Sequence, residues 1–354
     1  MTDDRDTGPS FDARETLSRA TESDWRHVFA EADLLAREGR WRDLGALREA
    51  AGERAAKPHL AVRERIENLA ASDADGVKAL AEWIAAEAMP EDRVGDIADR
   101  MAQAHAWPAI AAAGFRDDVL LLAAHSRALR REDLSADPLA LGVARRASER
   151  GDSLGALALA PHPLERAAWL PVHTAEGATL SLPFGTHVDG FVPVVPAGTH
   201  LEATPLARAA MPAFAHWANV IAATGRPSGA SSPAAAAGAF AALAPAAAPE
   251  DAIVRARATT PSEAWAWLFC ASLAGDAAPR RCAARARLAA WRTLAAMAGS
   301  ADDPDGAPAA LERSEWYLLD VRSGWFGGKA RDAAAVGKFG SHWGVVAATE
   351  SGPG

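Results

Sequence analysis

Cysteine is nearly missing from this chain: its 354 residues hold two, Cys270 and Cys282. Two cysteines build no disulfide framework and no Cys-x-x-Cys pair occurs, which excludes a stapled secreted scaffold, a zinc ribbon and a thioredoxin-type redox centre. Positive charge is in deficit, with 37 Lys+Arg against 46 Asp+Glu, a formal net charge of −9 and a pI near 5.6. Binding to nucleic acid or to an anionic membrane rests on accumulated Lys and Arg, so neither partner is expected. Long apolar runs are lacking too. The uncharged stretch from Pro227 to Pro249 is mostly alanine, broken by Pro233, Gly238 and Pro245, and has too little Leu, Ile, Val and Phe for a spanning helix. Residues 1–10 form an acidic tail with no signal-peptide pattern, so a cytoplasmic protein is expected. Gly-x-Ser-x-Gly and Gly-x-Gly-x-x-Gly turns are both absent, which removes the nucleophile elbow and the dinucleotide fold. Lysine is scarce as well: Lys57, Lys78, Lys329 and Lys338 are the only four, the other basic residues being arginine. With the alanine load, this composition reads as high-GC bacterial coding.

What is present is helical periodicity. Trp25, Val28, Phe29, Ala32 and Leu35 share one face, Gly39 breaks it, and Trp41, Leu44 and Leu47 open the next stripe, the pattern of an αα-hairpin. Further stripes follow at Val62–Leu69, Val77–Ile84, Val94–Met101 and Val119–Leu129, and Asp137-Pro138 starts another helix that stops near Gly151. Stacked pairs of this kind build α-solenoids, but no consensus recurs at a fixed period, so residues 11–165 are expected to form an irregular helical-hairpin domain, solenoid-like or a bundle. Pro161, Pro163 and Pro171 punctuate its end.

Beyond them the pattern mixes β and α. Ala178–Leu182 alternates and Phe191–Val195 is a candidate partner strand, with Pro193 placing it at an edge or bulge. Leu206–Ala223 reads as helix, the Ala/Pro-rich stretch 225–250 as a loop or a loose helix pair, and Ile253–Ala258 as a strand with Arg255 and Arg257 on an open face. Thr260-Pro261-Ser262-Glu263 is a capping box with proline at the first helical position, and the apolar helix behind it is expected to be buried on all sides. A second helix is expected from Pro279 to Gly299, bearing Arg281, Arg285 and Arg292 on one flank. Trp316–Val321 and His342–Ala348 read as strands. Trp316, Tyr317, Trp325, Phe326, Phe339 and Trp343 crowd this last segment and are expected to close the C-terminal core.

Three constellations invite chemistry. Gly185-Thr186-His187-Val188-Asp189 is echoed by Gly198-Thr199-His200, and His187, Asp189 and His200 are the residue types of a two-His-one-carboxylate metal site. The turn 324–329 carries Gly328-Lys329 after a strand, as in a phosphate loop, but Ser323 stands for the first glycine and Ala330 for the magnesium-binding hydroxyl. His173 is a candidate general base with no identifiable partner. No cofactor is indicated.

The order Trp316-Tyr317-Leu318-Leu319-Asp320, Trp325-Phe326 and Val345-Val346-Ala347-Ala348-Thr349, with the helix around Leu288–Arg292, resembles the close of an uncharacterised high-GC (actinobacterial-type) bacterial protein family of unknown function. The likeness covers about the last 90 residues, implies no activity and carries over no site. The expectation is a mainly α chain: a helical-hairpin domain, then an α+β domain over 172–350 with a small sheet covered by helices. Its expected work is non-catalytic binding of a protein partner by the helical domain. The alternative is an enzyme with a site near His187, Asp189, His200 and the 324–329 turn.

Overall fold

The computed structural model describes residues 11–20, 25–53, 56–87, 89–167, 170–174, 177–179, 190–197, 202–226, 231–274, 282–300, 307–326 and 332–349. The chain forms two compact units, one of Met1–Leu159 with Pro171–Thr179 and the other of Ala160–Leu170 with Leu180–Gly354.

In the first unit the helices are α1 (Ala13–Ser18), α2 (Arg26–Arg37), α3 (Trp41–Gly52), α4 (Lys57–Ser72), α5 (Gly76–Ala86), α6 (Glu91–Ala104), α7 (Trp107–Ala112), α8 (Asp117–Leu129) and α9 (Pro138–Glu149). The stripes read from the sequence are the buried faces: Val28, Ala32, Leu35, Leu44, Leu47, Val62 and Ile66 pack into one core. Gly39 ends α2 in the left-handed region at φ 68°, and the next N–H, of Arg40, reaches back 2.9 Å to the Leu35 carbonyl, a Schellman stop that glycine adopts without strain. A short antiparallel hairpin, β1 (Val172–Thr174) and β2 (Gly177–Thr179), belongs to this unit. Ala178-Thr179 therefore pairs with Val172-His173 and not with Phe191–Val195, while residues 180–182 lie outside the described residues.

In the second unit, strands β3 (Val192–Val194), β4 (Thr204–Pro205), β5 (Asn219–Gly225), β6 (Ile253–Thr259), β7 (Glu315–Arg322), β8 (Ala333–Phe339) and β9 (His342–Thr349) form one antiparallel sheet in the order β3-β6-β7-β8-β9-β5-β4. The expected small sheet is thus seven strands wide. Both edge strands carry a proline, Pro193 and Pro205, which blunts each edge because proline gives the ladder no donor.

Helix α10 (Pro233–Leu243) covers one face of the sheet, its alanines and Phe240 packing on Val254, Ala256, Tyr317, Leu319, Val336, Trp343 and Val345. The Ala/Pro-rich stretch therefore contains a packed helix. The capping box at Thr260 and Glu263 is formed at the start of α11 (Pro261–Leu273), and Ala264–Leu273 are all buried, as a helix apolar on every side requires. Helix α12 (Ala283–Met297) starts later than Pro279, and residues 275–281 lie outside the described residues. Its Met297 carbonyl lies over Gly344 so closely that a Cβ there would come within 2.6 Å, which fixes α12 against the second face of the sheet. Helix α13 (Ala307–Glu312) leads into β7.

The helix expected over Leu206–Ala223 is corrected, and a strand not foreseen appears. Leu206–Ala223 is not a helix but two 3-10 turns, Arg208–Ala210 and Pro212–Phe214, followed by β5. Ala333–Phe339, for which no strand was expected, is the central strand β8, where small side chains fit a sheet layered on both faces and tertiary packing overrides alanine's helix preference. Arg255 and Arg257 are half-buried, Arg255 donating to Asp320 Oδ2 at 3.3 Å and Arg257 lying 5.9 Å from the centre of the Phe191 ring. Trp316, Tyr317, Phe326, Phe339 and Trp343 are buried, so the aromatic segment closes this core as its composition predicted.

Candidate functional site

Helices α3 and α5 of the first unit bound an open cleft of about 1030 Å³ lined by Trp41, Gly45, Ala46, Arg48, Trp83 and Glu87, among others. Small residues shape it. A Cβ on Gly45 would stand 2.9 Å from the Trp83 indole nitrogen, so glycine lets the ring lie against α3. Gly76 does the same for Trp41, whose ring approaches its missing Cβ to 2.9 Å. Two indoles are thereby held at the cleft, with Arg42, Glu49 and Glu82 exposed along its rim.

The floor is a charge network. Glu67, 1% exposed, accepts from Arg48 Nε at 2.8 Å, Arg63 Nε at 3.1 Å and Arg93 Nε at 2.7 Å. Arg48 and Arg63 also meet Glu87, at 3.0 and 2.7 Å, and the Arg48 guanidinium stands 5.7 Å from the Trp83 ring centre. Burial alone would raise the Glu67 pKa, but Arg93, Arg48 and Arg63 outweigh it and lower it, so the carboxylate stays charged. The network joins α3, α4 and α6 and presents pre-oriented guanidinium and indole surfaces.

A second polar centre lies around β1. Gln103 of α6 clasps the His173 backbone, accepting its N–H at 2.8 Å and donating to its carbonyl at 2.9 Å, and Arg100 donates to the Thr174 carbonyl. The His173 ring is 7% exposed, and neither nitrogen meets a hydrogen-bond partner among the described residues. Burial, then Arg100, Arg130 and Arg93, push its pKa down to about 3, so the imidazole is neutral. Nothing among the described residues positions it as a general base.

In the second unit Glu165, wholly buried, accepts from Arg287 Nε at 2.7 Å, Arg287 Nη2 at 3.0 Å, Trp291 Nε1 at 2.8 Å and the His162 N–H at 3.1 Å. With both oxygens saturated, this carboxylate is a clasp holding the turn Pro163–Ala167 to α12. His162, read as linker, packs edge-on against Trp291 with ring centres 5.0 Å apart, and burial lowers its pKa.

The candidate metal residues His187, Asp189 and His200 lie outside the described residues, as do Arg281 and residues 327–330 of the phosphate-loop-like turn. Among the described residues no group of three His, Cys, Asp or Glu side chains gathers as a metal site. The described part of that turn sends Ser323 Oγ to the Ala247 carbonyl at 2.7 Å and buries Phe326, so it packs onto the sheet. Arg292 is exposed and Arg285 half-buried, whereas Arg287, not singled out from the sequence, is the buried arginine of α12. Its signal was present: it sits one helical turn before Trp291, inside the apolar stripe. Arg48, Glu67 and Trp83 were also missed, because a charged residue in an amphipathic helix reads as a solvated face.

Among the described residues no helix is long and apolar enough to cross a membrane. No curated protein and no solved structure matches the chain. A family model does match residues 26–352, through both units and well beyond the C-terminal residues on which the resemblance was read. The chain accordingly belongs to the family described as "Family of unknown function (DUF6183)".

Proposed function

We propose that the protein is a non-catalytic binding protein whose helical unit takes a segment of a partner polypeptide in the cleft between α3 and α5. The observation that carries this reading is the cleft itself: about 1030 Å³, open, bearing two indoles, and floored by guanidinium groups already fixed on Glu67 and Glu87. Aromatic and arginine side chains dominate binding energy at protein interfaces, and fixing them beforehand reduces the ordering cost of association. The exposed carboxylates Glu49 and Glu82 on the rim favour a segment carrying positive charge beside an apolar anchor. The acidic net charge and the absence of catalytic motifs agree with this role, and the composition supports the cytoplasm of a high-GC bacterium as its setting.

Selection of displayed random peptides on the full-length protein tests the reading. Ala46 is exposed in the cleft, and Ala46→Arg fills it without touching a core position. Selected peptides are expected to compete with one another, to share a basic–apolar pattern, and to bind Ala46→Arg about tenfold or more weakly, the size of a lost hot spot. Selected peptides that bind the variant as well as the wild type would overturn the reading, as would repeated failure to select any.

A further inference from the structure

An exposed stripe of Arg42, Ala46, Glu49 and Glu53 runs the length of α3 to its C-cap. Ala46, Glu49 and Glu53 line the cleft and also a smaller hollow of about 390 Å³, whose opposite wall is Phe11–Arg14 at the start of α1. Helix α1 shows how this stripe receives a helix. It lies against α3, buries Leu17 in the core that holds Leu47 and Ala50, and donates from Arg14 Nη2 to Glu53 Oε1 at 3.0 Å. The contact pattern is a basic residue three positions before an apolar anchor, two positions that share a helix face. The cleft on the other side of the stripe offers matching features. Ala46, Ala79 and Ala86 keep its walls low beside the Trp41 and Trp83 indoles. Its exposed charges are Glu49, Glu53 and Glu82 against Arg42, because Arg48 and Arg63 are taken up by Glu67 and Glu87.

We propose that the occupant of the cleft is an amphipathic α-helix of a partner polypeptide, lying along α3 and α5 with an apolar residue between the two indoles and a basic residue three or four positions away. This rests on the reading of the cleft as a peptide-binding surface and adds the conformation and pattern of the peptide. Backbone chemistry selects the helix. The walls are helices whose interior N–H and C=O groups already bond one another, so they present no row of free groups to pair with an extended strand. A segment entering the cleft has to satisfy its own backbone, and a helix does so within itself. The size agrees: two helical turns, about 10 Å wide and about 11 Å long, occupy about 850 Å³, and the cleft holds about 1030 Å³. Charge selects the basic flank. A lysine or arginine of the bound helix meets Glu49 or Glu82 on the rim, as Arg14 of α1 meets Glu53.

The test is selection on the full-length protein from two displayed libraries of peptides about 14 residues long, enough for about four helical turns. One library randomises a single face of an alanine-rich helix. The other randomises the same positions with proline fixed at two interior positions, which stops the helix. Binders are expected from the first library, with Lys or Arg three or four positions from Leu, Ile, Met or Phe. A central proline is expected to weaken them about a hundredfold, in line with its disfavour inside a helix. Ala46→Arg is expected to weaken them about tenfold or more. Glu49→Gln combined with Glu82→Gln is expected to weaken them about fivefold, the scale of exposed charge pairs. Binders from the proline library that Ala46→Arg weakens to the same degree would overturn the helix while leaving the cleft a peptide site. Helical binders that ignore the double glutamine variant would overturn the basic flank. Binding that Ala46→Arg leaves unchanged, or no binders from either library, would overturn the helix and the peptide site together.

Discussion

Folding should strip His173 of its ability to take a proton, and the resulting loss of stability in acid can be calculated. In the unfolded chain its imidazole titrates near the ordinary value of about 6.5. In the fold, burial together with Arg100, Arg130 and Arg93 pushes it down to about 3. Below pH 6.5 the unfolded state therefore binds a proton that the folded state refuses. The stabilisation is complete above pH 6.5 and is lost as pH falls toward 3, by about 1.4 kcal/mol per pH unit once the unfolded ring is protonated. Between pH 6.5 and 4.5 the loss comes to about 2 kcal/mol. This window lies mostly above the range in which Glu67 and the other carboxylates titrate. His162 of the second unit is also lowered and contributes in the same direction, so the quantity to isolate is a difference between variants. Urea unfolding of the wild type and of His173→Phe, at constant ionic strength in phosphate-free buffer, is expected to show the wild type losing about 2 kcal/mol more than the variant over this window. A difference below about 0.5 kcal/mol, or an NMR titration placing the His173 ring near its ordinary pKa, would refute the reasoning.

Other perturbations test the remaining structure. Glu67→Gln removes the shared anion of Arg48, Arg63 and Arg93 and should destabilise the helical unit by about 3 kcal/mol in chemical denaturation, with Trp83 fluorescence reporting the loosened cleft. Arg287→Met leaves Glu165 buried and unpaired and should destabilise the second unit by about 3–5 kcal/mol, whereas adding Glu165→Leu should recover most of the loss in the same assay. Gly344→Ala forces a Cβ to within 2.6 Å of the Met297 carbonyl and should lower stability by about 1–3 kcal/mol, read as a drop in the thermal midpoint. Arg131 is the one described non-glycine residue at positive φ, 74°, ending α8 where the Glu132 N–H reaches the Arg127 carbonyl at 3.1 Å; Arg131→Gly should raise stability by about 1 kcal/mol in denaturant titration.

Much of the fold could be read from local chemistry. The Thr260–Glu263 capping box, the glycine stop at Gly39, the edge position of Pro193 and the helical stripes from Val28 to Leu129 all depend on residues within a turn or two of one another, and the structure carries each of them. Ala333–Phe339 and Asn219–Gly225 escaped because alanine has no strand preference of its own. Ala333–Phe339 becomes a strand because small side chains suit the middle of a sheet covered on both faces, a condition that exists only after the layers assemble. Asn219–Gly225, next to the short edge strand β4, is instead drawn into the sheet by pairing along its whole length with β9.

The candidate sites were less legible for the same reason at longer range. The sequence placed Trp41 and His173 on elements, but it could not place Trp83 beside Gly45, nor His173 against Arg100 and Gln103, 73 and 70 residues earlier in the chain. Arg48 and Glu67 come from different helices, and Glu165 and Arg287 stand 122 residues apart. The sequence by itself determined most helical stripes of the first unit, which of their faces are apolar, and that two cysteines build no disulfide frame. Tertiary structure alone decided which charged residues leave water, since burying a charge is tolerated only when a distant partner arrives to meet it.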